Sequence, residues 1–415
     1  MTTTAHFTAF LTGVGYHESA WRVRSPEGTT GPAALRRYAQ IAERGLLDSA
    51  FFADSPVLEI FRARYFPQVR YDPIALVASA AAATSHIGLV ATASTTYNTP
   101  YDLARRLSTA DHLTRGRAGW NVVTTMTAST AANFGLTEHP KHADRYARAS
   151  EFVEVVRALW DEDAHAGDNA TGLWAEVEGR HPPLPRSPQG QPVLAQAGAS
   201  ASGVDLAGRF ADLVFTAQPD LSSGRRFRAA LQAAARKHGR PAGSVLALPG
   251  LAFVLGSTEA EALARREELE SLVDPEFRWR NLVFNAGFDL SKVDPDARLT
   301  EAAVASSGRT SRTEALLKRT RETGKTAREL SLELTGLPGG LEFTGTPEQL
   351  AELIEQWVTE GGSDGFTLQS TTLPDSLELF VDHVVPLLQK RGLHRTEYTG
   401  TTLRDHLGLA GPPTS

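Results

Sequence analysis

Short runs of β-branched and aromatic residues alternate with longer amphipathic stretches along most of this chain. The candidate strands are HFTAFL (6–11), SAFFAD (49–54), IGLVATAST (87–95), AGWNVVT (118–124), PVLAQA (192–197), LVFTA (213–217), VLALPGLAFVL (245–255) and GFTLQS (365–370). Most of them are bounded by Gly, Pro, Asp or Asn, which are typical strand boundaries. Strands that alternate with helices indicate a parallel sheet covered by helices, and eight such units predict an α/β fold, a (β/α)8 TIM barrel.

Helices are predicted between these strands, roughly at 31–45, 72–84, 101–114, 142–161, 200–210, 221–238, 346–361 and 373–391. In the fourth of them the apolar residues recur three and four positions apart and form one stripe that can pack on a sheet: Phe152, Val155, Val156, Leu159 and Trp160. The seventh opens with Thr346, Pro347 and Gln349, which predict an N-cap, a first helical residue and a capping-box partner.

Two stretches exceed this repeating pattern and are interpreted as insertions. Residues 162–190 are loop-like and rich in Gly and Pro, whereas residues 257–340 are helical and strongly charged. We therefore interpret 1–415 as a single barrel domain with two insertions. A solvated helical surface is the simpler interpretation of the charged insertion, and a lid over the barrel mouth is the alternative. The tail from about residue 396 is expected to wrap the surface or to fray.

Composition excludes several classes of function. The 42 basic and 48 acidic residues give a net charge of −6, so no overall positive field attracts nucleic acid or an anionic membrane, and a local basic patch is the alternative that stays open. The absence of cysteine excludes disulfides, thiolate metal sites and cysteine nucleophiles. The most apolar stretch, residues 75–84, is far shorter than the roughly 20 residues that span a bilayer, and the amino terminus lacks a secretory pattern. We therefore expect a cytoplasmic protein.

Motifs for common cofactors and metals are missing from the sequence. No GxGxxG follows the first strand, and neither GxxxxGK[ST] nor HExxH occurs, so dinucleotide-fold, P-loop and zincin interpretations have no support. The 12 histidines form no evident set of metal ligands. We expect no metal site.

The segment QAGAS at 196–200 lies where a buried strand is predicted to pass into a helix. The small residues Gly198 and Ala199 would let a ligand approach the backbone closely. Ser200 can cap the helix while free amides and the positive dipole end face an anion such as a phosphate. An ordinary tight turn with a serine cap is an equally weighted interpretation.

A second candidate site opens the helix predicted at 142–161. His142, Arg145 and Tyr146 are hydrogen-bond donors near its start, and His142 and Tyr146 stand four residues apart on one face. Both could therefore contact a single ligand. A solvent-facing helix with a charged first turn is the alternative.

Polar residues also follow the early strands, where the catalytic face of a barrel lies. His17 follows the first strand, Asp54 the second, Thr92 and Ser94 share one face of the third, and Asn121 lies on the fourth. Any one of them could be a cap or a turn residue, and Asp54 precedes Ser-Pro, a typical turn. Because several strands would direct polar groups to one mouth, we favour a functional site.

The chain resembles the luciferase-like flavin monooxygenases over residues 6 to about 391. The similar segments are IGLVATASTTYNTPYDLARRLSTADHLTRG, GRAGWNVVTTMTASTAANFG, HADRYARASEF, RSPQGQPVLAQAGASASG and GTPEQLAELIEQW. Within that family the similarity is to the branch of nitrilotriacetate, dibenzothiophene-sulfone and long-chain-alkane monooxygenases. Two departures are Thr125, where the family often has Ser, and the absence of histidine from the second insertion, where some relatives have one.

The resemblance implies a reaction and a set of partners. Reduced FMN would come from a separate NADH- or NADPH-dependent flavin reductase, and O2 would be the co-substrate. One oxygen atom would enter a small organic substrate through a flavin peroxide, while the protein positions and shields the cofactor. The resemblance also implies a homodimer or a homotetramer.

The resemblance assigns roles to residues already singled out. Asp54, Thr92, Ser94 and Asn121 would contact the flavin ring and ribityl chain. The phosphate would lie at His142, Tyr146, Ala199 and Ser200. The candidate catalytic residues are His17 and Asn121, with His17 facing the peroxide or the substrate; a packing or capping role is the alternative for His17.

Two other functions remain open at this point. A deazaflavin-dependent oxidoreductase of the same superfamily would transfer hydride and ignore O2, and a non-catalytic protein would hold flavin without turnover. The basic and aromatic cluster at 142–146 inclines the interpretation toward FMN.

Overall fold

The computed structural model describes residues 4–23, 30–58, 60–65, 70–125, 127–161, 171–177, 184–305, 311–333 and 340–411. Its strands are β1 His6–Leu11, β2 Ser49–Phe52, β3 Gly88–Ser94, β4 Ala118–Val123, β5 Val193–Ala197, β6 Leu213–Thr216, β7 Leu246–Leu255, β8 Leu341–Gly345 and β9 Gly365–Ser370. All pairings between them are parallel, and β1, β2, β3, β4, β5, β6, β7 and β9 close into a ring. The predicted (β/α)8 barrel is confirmed.

The α-helices are α1 Ala20–Val23, α2 Pro32–Arg44, α3 Ile60–Ala63, α4 Pro73–Ala81, α5 Pro100–Thr114, α6 Thr130–Asn133, α7 His142–Trp160, α8 Leu173–Val177, α9 Ala201–Phe210, α10 Leu221–Lys237, α11 Glu259–Ser271, α12 Pro275–Asn285, α13 Ser311–Thr323, α14 Ala327–Glu333, α15 Pro347–Thr359, α16 Asp375–Leu379, α17 Val385–Lys390 and α18 Leu403–His406. Short 3₁₀ turns occur at Leu290–Lys292 and Glu301–Ala303. The predicted capping box of α15 is present, because Thr346 and Gln349 each accept the other's backbone N–H.

The helix predicted at 373–391 is in fact divided. A π-helical turn, Phe380–Val384, separates α16 from α17. Pro386 lies in the first turn of α17, where its ring would clash with the carbonyl four residues earlier in a regular α-helix. The wider π turn relieves that clash.

Strand β8 is absent from the sequence prediction. The first half of β7 pairs with β6, and its second half, Leu251–Leu255, pairs with β8. β8 therefore extends the sheet beyond the ring at the end of the second insertion. Helix α11 packs against both β7 and β8, which holds it beside the barrel mouth.

The second insertion is helical, as predicted, and it has a small hydrophobic core of its own. The buried members of that core include Trp279, Leu282, Val283, Leu317 and Leu330. Helices α12 and α14 contribute to it and pack together. Residues 306–310 and 334–339 of this insertion, and 162–170 and 178–183 of the first one, lie outside the described residues.

The carboxyl-terminal tail closes the lower end of the barrel, which corrects the expectation that it wraps the surface or frays. Leu403 and Leu407 are buried among inward residues of the ring such as Val90. Gly88 leaves room for this plug, because a Cβ there would lie 2.3 Å from Leu403 Cδ1. Over the described residues, no helix is long and apolar enough to cross a membrane.

A buried ion-pair cluster fastens the tail to the barrel. Asp48 is fully buried, accepts the Phe7 backbone N–H at 2.6 Å, and pairs with His6 and with Arg395 of the tail. Burial alone would raise the pKa of Asp48, but His6 and Arg395 hold it at about 2. The ionised carboxylate is therefore the stable form in the folded protein.

We expect Asp48→Asn to lower the free energy of unfolding by about 3 kcal/mol, because the exchange leaves Arg395 buried without its counter-charge. The contribution of Asp48 is present above its unfolded-state pKa of 3.8 and is lost as the pH falls toward 2, so the deficit should be full at pH 7. Urea unfolding measures it. The matched control, Asp382→Asn, removes an exposed pair with Arg44 and should cost less than about 0.5 kcal/mol; equal losses in the two variants would contradict this account.

Candidate active site

Strands β3 and β4 direct three of the predicted site residues into the barrel at its carboxyl end. Thr92 and Asn121 are opposite each other in the register, and Asn121 Nδ2 donates to Thr92 Oγ1 at 3.0 Å. Asn121 is buried, and its Oδ1 has no hydrogen-bond partner in the described part of the chain. An unsatisfied buried acceptor is costly, so this oxygen is suited to an N–H or O–H group of a ligand.

Ser94 is held by the residues that follow β4. Thr125 Oγ1 donates to Ser94 Oγ at 2.8 Å, and Ser94 Oγ also accepts the Thr96 backbone N–H at 3.2 Å. Thr125 has φ of 51°, the left-handed region that a β-branched residue rarely adopts. Such strain is typical of functional sites, where neighbouring contacts fix it.

The predicted phosphate residues meet at the starts of α7 and α9. A Cβ at Gly198 would lie 3.4 Å from the Tyr146 hydroxyl, so the QAGAS turn is next to this tyrosine. The His142 and Tyr146 rings are 4.7 Å apart, and Ser200 caps α9 by accepting the Gly203 N–H at 3.1 Å. His142, Ala199 and Ser200 are exposed. The separate predictions for 142–146 and 196–200 therefore describe one place.

Two further features make this place suitable for an anion. Lys141, the N-cap of α7, provides no side-chain cap, so the first amides of a 19-residue helix are left for other partners. Arg145 is buried and its Nε has no partner among the described residues. Helix N-termini with free amides and a nearby guanidinium favour a phosphate.

Asp54 lies just beyond the end of β2, next to β3 in the ring. Burial, with a smaller effect of the Asp72 carboxylate, raises the pKa of Asp54 to about 6. It can therefore change protonation state near neutral pH.

His17 lies at the barrel mouth, in the loop that follows β1. Its backbone N–H donates to the Thr371 carbonyl at 3.1 Å, which ties the loop after β1 to the end of β9. The ring Nδ1 is 2.9 Å from Ser19 Oγ, and Nε2 is 3.5 Å from Glu270 Oε1. The second distance exceeds an ordinary hydrogen bond, so Nε2 can still interact with a ligand.

A cavity adjoins His17, and it was not predicted. Its lining residues are Tyr16, His17, Glu18, Ala252, Phe253, Val254, Arg266, Glu270, Val273, Arg278, Asn281, Leu282, Glu342, Phe343, Thr344 and Thr371. Burial raises the pKa of Glu18 to about 7. Burial would also raise the pKa of Glu270, but the neighbouring His17 and Arg278 side chains lower it to about 2. Two carboxyl groups with pKa values driven apart are a pattern of sites that exchange protons.

His139 and Tyr97 are also near the mouth and were also missed. The Tyr97 hydroxyl and His139 Nδ1 are 2.7 Å apart, and His139 Nε2 is buried without a partner within the described ranges. Burial lowers the pKa of His139, which favours the neutral ring. No group of three or more His, Cys, Asp or Glu residues that could hold a metal ion occurs in the part of the chain that the structure describes.

Comparison with known proteins identifies the family. The model of the luciferase-like monooxygenases matches residues 8–364. The chain belongs to the luciferase-like monooxygenase family. It is 41% identical to nitrilotriacetate monooxygenase component A from Aminobacter aminovorans, over 97% of this chain and 95% of that one.

Two solved structures are similar to this luciferase-like monooxygenase over almost their whole length. The structure of a long-chain alkane monooxygenase has a TM-score of 0.83 at 29% identity and covers 98% of this chain and 96% of its own. A riboflavin lyase with modified FMN and riboflavin has a TM-score of 0.82 at 29% identity, with the same coverage. The predicted family and branch are confirmed, and the chain is an enzyme of a flavin-dependent class.

Part of the missed site had a signal in the sequence. Glu18 directly follows His17 in GYHESAW and shares its loop, so it could have been included with the mouth residues. Glu270 and Arg278 lie in a charged insertion, and no local pattern distinguishes them from surface residues of the same helices. Their place in this monooxygenase depends on the packing of α11 on β7 and β8.

We expect Glu18→Gln to stabilise the monooxygenase at pH 8 but not at pH 4. The folded-state pKa of about 7 is above the unfolded value of 4.5, so the favourable contribution of the protonated carboxyl is fully present below pH 4.5 and is lost as the pH rises through 7. A neutral glutamine avoids that loss, which we put at about 1–3 kcal/mol. Thermal unfolding at the two pH values measures it; a variant less stable than the parent at pH 8 would contradict the assignment.

Proposed function

We propose that the chain is the oxygenase component of a two-component FMN-dependent monooxygenase. Reduced FMN would come from a separate NAD(P)H-dependent flavin reductase, and one oxygen atom of O2 would be inserted into a small organic substrate. The observation that carries the proposal is the meeting of the α7 and α9 N-termini, beside Tyr146, at the mouth where the buried Asn121 Oδ1 has no hydrogen-bond partner among the described residues. One molecule with a phosphate and a polar ring system matches both features.

The residues present fit FMN. The phosphate dianion would lie at His142, Tyr146, Ala199 and Ser200, where the helix dipoles and free amides favour negative charge. The polar groups that face the barrel mouth would hold the ring and the ribityl chain: Asp54, Thr92, Ser94 and Asn121. The unsatisfied Asn121 Oδ1 requires a donor, which a flavin ring or a ribityl hydroxyl has.

When bound, FMN would supply the oxygen chemistry, because no amino-acid side chain activates O2 by itself. The protein's own contribution is to orient the ring and to exclude water. Phe10 and Phe215 project inward from β1 and β6 with their rings stacked 6.0 Å apart, and Tyr16 meets Phe10 edge-on at 5.7 Å. This apolar layer keeps water from the barrel side of the mouth.

His17 is the candidate for proton exchange or for steadying charge at the reacting atoms. Ser19 Oγ donates to the Leu269 carbonyl at 2.7 Å, so its lone pairs are available to His17 Nδ1. His17 Nε2 would then contact the reacting groups and give up its 3.5 Å contact with Glu270. Asn121 would act beside it by holding the cofactor.

The direct test mixes purified protein with chemically reduced FMN in air-saturated buffer and follows flavin absorbance by stopped flow. We expect tight binding and an oxidation rate that differs from that of free reduced FMN. A protein that neither binds reduced FMN nor changes its reaction with O2 would refute the proposal. Spectral titration with a reduced deazaflavin separates the alternative hydride-transfer function, which would bind that cofactor in preference.

We expect Asn121→Ala to weaken reduced-FMN binding about ten-fold, because one buried hydrogen bond of about 1.4 kcal/mol is lost. Asn133→Ala is the matched control, since its side chain donates to the Pro56 carbonyl at the surface. Titration of reduced FMN under anaerobic conditions gives both affinities. Equal affinities of the two variants for reduced FMN would show that Asn121 does not bind the cofactor.

The homodimeric or homotetrameric state and the separate reductase that the resemblance implies remain predictions. The cytoplasmic location expected from the sequence also remains a prediction. Size-exclusion chromatography with light scattering determines the oligomeric state.

A further inference from the structure

The cavity and the proposed cofactor residues occupy different arcs of the barrel mouth. The cofactor residues lie on β3 and β4, just after β2 and β5, and at the starts of α7 and α9. The cavity is lined from β7, β8, the segments after β1 and β9, and helices α11 and α12. β1 is between these arcs in the ring, and His17 follows it. A molecule in the cavity would therefore lie beside the cofactor, with His17 at the boundary.

Both arginines that line the cavity are already paired with carboxylates. Arg266 Nη2 is 2.8 Å from Glu342 Oε2 and Arg278 Nη1 is 2.7 Å from Glu270 Oε2. Arg266 also donates to Thr344 Oγ1, and Arg278 donates to the Glu270 carbonyl at 2.8 Å. A negatively charged ligand would have to compete with these carboxylates for the two guanidinium groups.

Glu18 differs from the other two carboxylates of the cavity. Asn281 Nδ2 donates to its Oε1, and within the described residues no Lys, Arg or His nitrogen lies close enough to form an ion pair with it. Arg62, which is near enough to influence its charge, donates instead to Asn281 and Asn285 at 2.6 and 2.9 Å. A carboxyl group without an ion pair, on the wall of a cavity, is suited to a donor group of a ligand.

Most of the remaining wall of the cavity is apolar. Its apolar residues are Ala252, Phe253, Val254, Val273, Leu282 and Phe343, and the hydroxyl-bearing Tyr16, Thr344 and Thr371 complete it. Pockets of this composition bury the hydrocarbon part of a ligand while a few polar groups orient it.

We propose that this cavity is the substrate pocket and that it takes a neutral or basic organic molecule, whose hydroxyl or ammonium group donates to Glu18. Anionic substrates, and polycarboxylates above all, are rejected. They would meet the carboxylates of Glu18, Glu270 and Glu342, while both arginines of the described lining are already paired. The role of this molecule as the substrate rests on the proposed oxygenase function. The preference of the cavity for neutral or basic molecules over anions does not.

Three probes of one shape test the preference without flavin or O2: benzylamine, benzyl alcohol and benzoate. Ligand-observed NMR with the protein of residues 1–415 at pH 8 measures the affinities of the three probes. We expect benzylamine to bind at least about ten-fold more tightly than benzoate, with benzyl alcohol between them. Benzoate binding as tightly as benzylamine, or no binding of benzylamine, would overturn the proposal.

Variants locate the preference in the cavity. Glu18→Gln should weaken benzylamine binding about ten-fold and change benzyl alcohol little, since an amide oxygen still accepts from a hydroxyl. Glu342→Gln removes the carboxylate that neutralises Arg266 and should strengthen benzoate binding. Glu267→Gln, on the exposed face of α11, is the control and should change none of the three affinities. If Glu18→Gln and Glu342→Gln both match the control, the assignment is wrong.

The pH dependence of benzylamine binding tests the role of Glu18 independently. Benzylamine affinity should rise as the pH increases through about 7, where Glu18 ionises. The other charged groups around Glu18 are His17, Arg62, Glu270 and Arg278, with Arg266 and Glu342 farther along the wall. The Glu18→Gln variant should lack the rise, and a rise that persists there would exclude Glu18. Turnover with reduced FMN is measured separately, so a working oxygenase that prefers benzoate refutes this inference alone.

Discussion

The parallel hydrogen bonding of eight strands in a closed ring determines where the other parts of this protein can act. Because every strand runs in the same direction, all their carboxyl ends meet at one rim, and residues far apart in the chain become neighbours there. Thr92 and Asn121 are 29 residues apart and share a hydrogen bond of 3.0 Å. The lower rim is closed by Leu403 and Leu407, so the upper rim is where a ligand can enter the barrel.

That constraint also explains the division of the mouth. Helices α7 and α9 begin directly at the rim, so their unpaired amides face the space above β4 and β5. The second insertion contributes no strand to the ring, but β8 adds to β7 and brings α11 beside the mouth. One arc therefore offers helix dipoles suited to a phosphate, and the other offers a cavity with paired charges and an apolar wall.

Much of the fold could be predicted because its determinants are local. Strand and helix patterns depend on neighbouring residues, and the QAGAS turn and the start of α7 carry their own signals. The short strand Leu341–Gly345 could not be predicted, because only its pairing with β7 makes it a strand. The π turn before Pro386 had a local signal that the prediction ignored.

The distinction between local and tertiary determinants also separates the proposed cofactor residues from the charged residues of the cavity. Asn121 and Tyr146 could be selected because strand ends and helix starts of a barrel converge. Glu270 and Arg278 could not, since their role depends on the tertiary position of α11 and α12. The ionisation of Glu18 likewise depends on burial by elements distant in the sequence.

The most direct measurement of the central claim is a crystal structure of the protein with FMN bound. The phosphate should lie between the N-termini of α7 and α9, within hydrogen-bonding distance of Tyr146 and Ser200, and the ring should reach Asn121. FMN bound elsewhere, or with its phosphate on the α11 side of the mouth, would contradict this account.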